Sequence, residues 1–281
     1  MGFLQSRAYC PVPRHCLQCK MTSLLPRRIS TPSISLFWLW TAFWWGLVGA
    51  SAALFYVGRI DFVTSTKYPL YGVSIWLNAW LLALVPQNKQ RTRLDVYNDC
   101  VQLWLLSYLI TNLMWEVPWV VLSPHVFSGL NTLHDVEAMT PYMRASPVNM
   151  YYWVLSSFSC VDMRTVNHDP TFYSLEICAF GNVLLTILFF YLVRMKSPLR
   201  FLLPLATCGI PAAATFIFSF SEVFANYINM NGGLADTLLA LVWTQYQYIL
   251  FPLVTGYLSF PLLQDDWQRS LSKSSSTAKR K

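Results

Sequence analysis

Apolar residues in this chain gather in blocks of about twenty, with no alternation of period two and with polar residues collected between the blocks. Six blocks stand out, at residues 37–57, 70–86, 97–122, 172–193, 201–221 and 238–262. A helix needs roughly 20 such residues to cross a hydrocarbon core of ~30 Å, and in lipid its backbone groups must bond within the helix itself. The pattern predicts an all-α fold, a polytopic transmembrane helix bundle of about six spans, in which 70–86 is the shortest. The chain then divides into a basic tail over 1–34, the bundle over 35–263 with a long connection over 123–171, and a second basic tail over 264–281.

Composition supports lipid as the solvent: of 281 residues, 55% are hydrophobic and only 12% charged, against about 25% charged in a soluble domain. A net charge of +7 raises nucleic acid as a partner, but the basic residues are dispersed between the apolar blocks and form no stripe. Their distribution sets the topology instead. With the N-terminus cytosolic, the tails and the turns around Arg91 and Arg194 hold sixteen Lys and Arg, and the opposite side holds Arg59, Lys67, Arg144 and Arg164. That asymmetry fits the positive-inside rule for six spans with both ends cytosolic.

The remaining polar segments are poor in chemistry. Cys16 and Cys19 with His15 make one metal-type pair, but no second pair follows, and seven cysteines cannot all pair, so a reduced cytosolic tail is expected. The first residues also match a loose myristoylation pattern, with a bulky Phe3 after the glycine, and the acid-free tail has a transit-type composition. In the 123–171 connection, residues 151–161 suit a short helix lying in the interface, with Tyr151, Tyr152 and Trp153 at headgroup depth. His134, Asp135 and Glu137 read better as a solvated loop than as metal ligands. No sequon, phosphate loop, nucleophile elbow or zincin motif occurs, and neither a metal nor a cofactor is expected.

Two acids carry the chemistry. Glu116 stands late in the third block and Glu176 early in the fourth, so both lie near the same membrane face. An ionisable residue at bilayer depth is a functional candidate by default, although both are also placed to stabilise helix termini. Facing one apolar cavity, such a pair would serve as a protonated acid beside a carboxylate base. Trp115, Trp119, Phe172, Tyr173, Trp243, Tyr246 and Tyr248 could line that cavity or form interfacial belts. Glu222 and Asp236 share this side but fall at helix ends open to water. A transporter would need polar groups in the other half of the spans, where no charge is expected.

These residues fall in stretches that resemble the EXPERA family of emopamil-binding sterol isomerases, the sigma-2 receptor and related lipid-handling proteins. The stretches are Asn112-Leu113-Met114-Trp115-Glu116, Tyr173-Ser174-Leu175-Glu176, Ser197-Pro198-Leu199-Arg200-Phe201, Ser219-Phe220-Ser221-Glu222 and Gln245-Tyr246-Gln247-Tyr248 ahead of Pro252. The likeness covers about 97–260, with 70–86 a further helix of the same kind and 37–57 an addition. It implies that Glu116 and Glu176 are the acid and base of a sterol double-bond shift. Asn112, Trp115, Tyr173, Ala179, Glu222, Gln245 and Tyr248 would surround the substrate, with Tyr248 in place of a tryptophan and Gln245 in place of an asparagine. Asn112 stands where the isomerases carry a histidine and Ala179 where they carry a threonine. The resemblance further implies an endoplasmic-reticulum location, a sterol or sterol-like lipid as ligand, and leaves a homodimer open; a lipid sensor or trafficking factor of the sigma-2 type is the alternative.

Overall fold

The computed structural model describes residues 28–87 and 91–278; the cysteine pair and the lipidation pattern of the first residues lie outside them. The described chain is helical, with one isolated antiparallel bridge between Asp162 and Met230. Five helices are long and apolar enough to cross a membrane: Thr31–Tyr56, Arg93–Val126, Pro170–Arg194, Leu202–Phe224 and Leu234–Ser272.

The first is α1 (Thr31–Tyr56), started by the Ser30 cap with Pro32 in its first turn and ended at Gly58, whose φ of 76° lets Arg59 N–H reach back to Leu54 O. Next comes α2 (Phe62–Trp76), which runs into a 3-10 stretch, Leu77–Leu84, and packs between α1 and α3 (Arg93–Thr111). The 70–86 block therefore belongs to this composite rod, which is not one of the five long helices. Thr92 and Asp95 form a reciprocal capping box at the start of α3.

From α3 the chain passes through a π turn, Asn112–Glu116, into α4 (Val117–Val126). Three short helices follow, α5 (Leu133–Ala138), α6 (Thr140–Arg144) and α7 (Met150–Ser156). These helices make the connection something other than an open loop, while His134 and Glu137 within it stay exposed, as expected of them. Val136, Met143, Leu155, Val161 and Val166 are all buried, and together they close one end of the bundle. The 151–161 segment is likewise no interface helix: Trp153 and Phe158 pack inward, and Trp153 Nε1 donates to Ser65 Oγ at 2.8 Å. A short apolar helix can bury its side chains in lipid or in protein, and here protein supplies the surface. Arg144 fastens this end by donating to Phe55 O (2.7 Å) and Ile60 O (2.8 Å). Asp135 caps α5, accepting from the Asn131 and Thr132 N–H groups, which hold its carboxyl below the ordinary value and leave it poorly placed to ligate.

The last third contains α8 (Pro170–Arg194), α9 (Leu202–Thr207), α10 (Gly209–Phe224), α11 (Leu234–Leu238), a second π turn at Leu239–Trp243, and α12 (Tyr246–Ala278). The tail boundary expected at 263/264 falls inside α12, because the helix continues unbroken past Leu263. In the turn after α8, Arg200 is buried and clasps Asp266 of α12 through two bonds of 2.8 and 3.1 Å. The Ser197–Phe201 stretch is thus a structural clasp.

The 97–122 block also holds a buried charge the pattern passed over. Asp99 accepts from Ser30 Oγ (2.6 Å) and from Arg91 (2.6 Å), beside Asn98 and Gln102. These bonds tie the start of α1 to α3.

Candidate functional site

Pro118 has no N–H, so the carbonyl four residues earlier, at Met114, loses its α-helical donor. The chain widens into the π turn, in which Val117 N–H bonds Asn112 O. This turn swings Glu116 toward the bundle interior, where it is only 6% exposed. Across from it Glu176, 4% exposed, lies two turns into α8, which the Asp169 cap and Pro170 start.

Both glutamates line one cavity of about 390 Å³, within the range of roughly 300–1,000 Å³ usual for small-molecule sites. Its walls come from α1, the α2 rod, α3 with its π turn, α7, α8, α10 and the start of α12. They are mostly apolar and aromatic, with Trp45, Trp115, Trp153, Phe172, Tyr108 and Tyr248 among them. Met114, 54% exposed on the outside of the bundle, and the exposed Cys178 also reach the cavity wall, which places its rim against the lipid-facing surface.

Inside, the Tyr248 hydroxyl meets the Glu116 carboxyl, and the Tyr248 ring is held edge-on by Trp104 and Tyr108 at 6.4 and 6.0 Å between centroids. Oε2 of Glu116 and Oε2 of Glu176 have no hydrogen-bond partner. A buried oxygen left without a donor is costly, by about 1–3 kcal/mol. Two such oxygens at one cavity are positioned for a ligand or a shared proton. Trp115 is fixed by Nε1 donating to Val154 O at 2.9 Å and by stacking on Trp119.

Of the residues singled out in the sequence, Glu116, Glu176, Trp115, Phe172, Ala179, Gln245 and Tyr248 line this cavity, and the aromatics Trp119, Trp243 and Tyr246 do not. Asn112, Tyr173 and Glu222 also stand outside it. Asn112 is fully buried, and its Nδ2 bonds Tyr108 O at 2.7 Å, one turn back in its own helix. Tyr173 bonds Ser123 through its hydroxyl and packs on Trp119. Glu222 belongs to a second buried cluster, which corrects its reading as a helix-end acid open to water.

That cluster forms because α10 ends in two left-handed residues, Asn226 and Tyr227, which turn the chain so that Asn229 donates twice to the Glu222 carboxylate, at 2.8 and 3.0 Å. Arg164, 1% exposed, completes it. Its guanidinium bonds Asp162 (2.7 Å) and Phe218 O (2.8 Å) and lies 3.4 Å from Glu222. Burial raises the Asp162 carboxyl above its ordinary value, against the opposing pull of Arg164. Asp236, also expected to be a helix-end acid within reach of water, sits in the first turn of α11, half-buried, and pairs with Lys67.

Polar cavity residues the sequence reading missed include Tyr108 on α3, Asn182 on α8 and Thr215 on α10. Asn182 carried a signal, as an amide in the middle of the apolar 172–193 block. Comparison with protein-family models, with curated proteins and with solved structures gives no match to this chain.

Proposed function

We propose that this chain is a membrane-embedded protein for a sterol or sterol-like lipid, in which Glu116 and Glu176 shift a ring double bond. One carboxyl gives its proton to one alkene carbon, leaving the cation on the other, and the second carboxyl takes a proton from the carbon beyond that cation as the double bond re-forms one position along. No redox partner is needed, because one proton is given and one is taken, and the pair resets by passing a proton between the two sites. The observation behind this reading is the convergence of both buried glutamates, each with an unpartnered oxygen, on one mainly apolar cavity. The faces of Trp115 and Tyr248 would stabilise the cationic intermediate without adding to it.

The test is rescue of an isomerase-deficient cell, scored by its sterol profile. Rescue by the wild-type chain, lost in both Glu116→Gln and Glu176→Gln, supports catalysis; a precursor sterol that stays unshifted with well-expressed wild type overturns it.

Asn112 favours a second reading, a lipid sensor or trafficking factor without turnover. Its amide is turned back to Tyr108 O and away from the cavity, so the position held by histidine in the isomerases offers no proton here. Sterol binding retained by both glutamine variants, without conversion, would select this reading.

The EXPERA-like arrangement also takes the α2 rod as a sixth crossing, with both ends cytosolic in the endoplasmic reticulum. Its 15 α-helical and 8 3-10 residues span about 38 Å, enough for the core. Glycosylation tags at the two ends check the topology: modification of either one overturns it.

A further inference from the structure

The wall behind Tyr108, Asn182 and Pro211 is shared by two cavities. On its far side lies a narrow space of about 40 Å³, reached also by Thr186, Cys208 and Thr255. This space has room for little more than a water molecule, and two of its polar side chains are already occupied. Thr186 Oγ1 donates to Asn182 O at 2.8 Å and Cys208 Sγ to Leu205 O at 3.3 Å.

Asn182 differs. It is 6% exposed, the Tyr108 hydroxyl lies against its amide, and its Nδ2 has no hydrogen-bond partner. An unpartnered amide donor in the middle of a membrane helix is costly unless something comes to accept from it. Glu176, Ala179 and Asn182 follow at intervals of three along α8, so the donor sits about 9 Å along the axis from the glutamate level. On one side, therefore, the cavity offers carboxyls to a reacting centre. On the other it offers a neutral donor to a neutral oxygen.

We propose that Asn182 is the specificity-determining contact of this site, donating to the hydroxyl oxygen of a neutral lipid alcohol and so fixing which carbons of its ring system face Glu116 and Glu176. The inference rests on the lipid reading above and adds to it the ligand's polar end and the residue that reads it. A carboxylate in place of that hydroxyl would be repelled by the two acids, whereas a hydrocarbon would leave the amide bare.

The test compares two probes on the purified full chain in lipid nanodiscs: cholesterol and its 3-deoxy counterpart, which lacks only the hydroxyl. Wild type should bind the alcohol about tenfold more tightly than the hydrocarbon. Asn182→Leu and Asn182→Ala should each bring that ratio to near one, chiefly by weakening the alcohol. Because the readout is a ratio within each variant, a change in the folded fraction cancels. A preference that survives both substitutions, or wild type that binds the two probes equally, overturns the assignment of Asn182 while leaving the lipid reading in place. Wild type that binds neither overturns both.

Discussion

Arg164 and Phe218 meet twice: the guanidinium lies 3.7 Å from the centre of the Phe218 ring and also donates to the carbonyl of the same residue at 2.8 Å. The residue that closes the bundle end is thus bonded to both the ring and the backbone of α10. Asp162 and Glu222 flank it, so its removal leaves two buried carboxylates facing each other.

Arg164→Leu is expected to lower stability by about 3–5 kcal/mol, the usual cost of breaking a buried ion pair from one side. Arg164→Leu combined with Asp162→Asn and Glu222→Gln should recover a large part of it. Thermal unfolding in detergent micelles checks both, and a triple variant no more stable than the single one would place the loss in the ring contact.

Glu116→Gln and Glu176→Gln should each lower any conversion of sterol by at least about 100-fold, the scale of general acid–base assistance. Tyr248→Phe, which keeps the ring and removes only the hydroxyl beside Glu116, should cost less than either. Sterol profiling of the rescued cells orders the three.

Ala179 leaves room in the cavity wall between Glu176 and Asn182. Ala179→Phe would fill that room, so lipid binding should fall by at least about tenfold while the unfolding temperature changes little, as one extra core contact offsets modest strain. Binding unchanged by this substitution would move the ligand elsewhere.

Asp61 caps α2, its Oδ1 accepting from Thr64 N–H at 2.8 Å, and this bond holds its carboxyl below the ordinary value of 3.8. A lowered folded value means that the ionised form is favoured by folding, so the benefit is present above the unfolded value and is lost as pH falls through the folded one. Asp61→Ala should cost about 1 kcal/mol near neutrality. The gap from wild type should narrow as pH falls through the ordinary 3.8 toward the lower folded value, and Asp61→Asn should show no such dependence.

Gly256 on α12 sits against the bend between α9 and α10, where an added Cβ would meet Cys208 Sγ at 2.5 Å and its Cβ at 2.9 Å. Gly256→Ala is therefore expected to destabilise by about 1–3 kcal/mol, and Cys208→Ala in the same chain to relieve part of that. Unfolding temperatures of the two singles and the double measure the coupling.

What the sequence disclosed follows from what a single segment can show. Glu116 and Glu176 were legible because a carboxylate in an apolar block is conspicuous on its own, and five of the membrane-length helices were legible because lipid demands a continuous run. Asn182 was visible by the same logic, yet an amide costs less in lipid than a charge and draws less notice. Arg164 and Glu222 could not be joined from the sequence, since 58 positions separate them and one lies in a stretch whose prolines suggest a loop. Trp153 looked amphipathic because an indole suits a headgroup region and a protein core equally. Asp99 escaped notice because its partners come from three different segments.

The two π turns, at Asn112–Glu116 and Leu239–Trp243, each insert one residue beyond what a regular helix of that length would hold. One residue is about 100° of rotation. Side chains before and after each turn therefore belong to different helical wheels, and Tyr108 and Glu116 share a cavity through that offset. Run as a regular α-helix, the eight steps from Tyr108 to Glu116 would set the two side chains about 80° apart around the axis, and the glutamate would turn away from Tyr108.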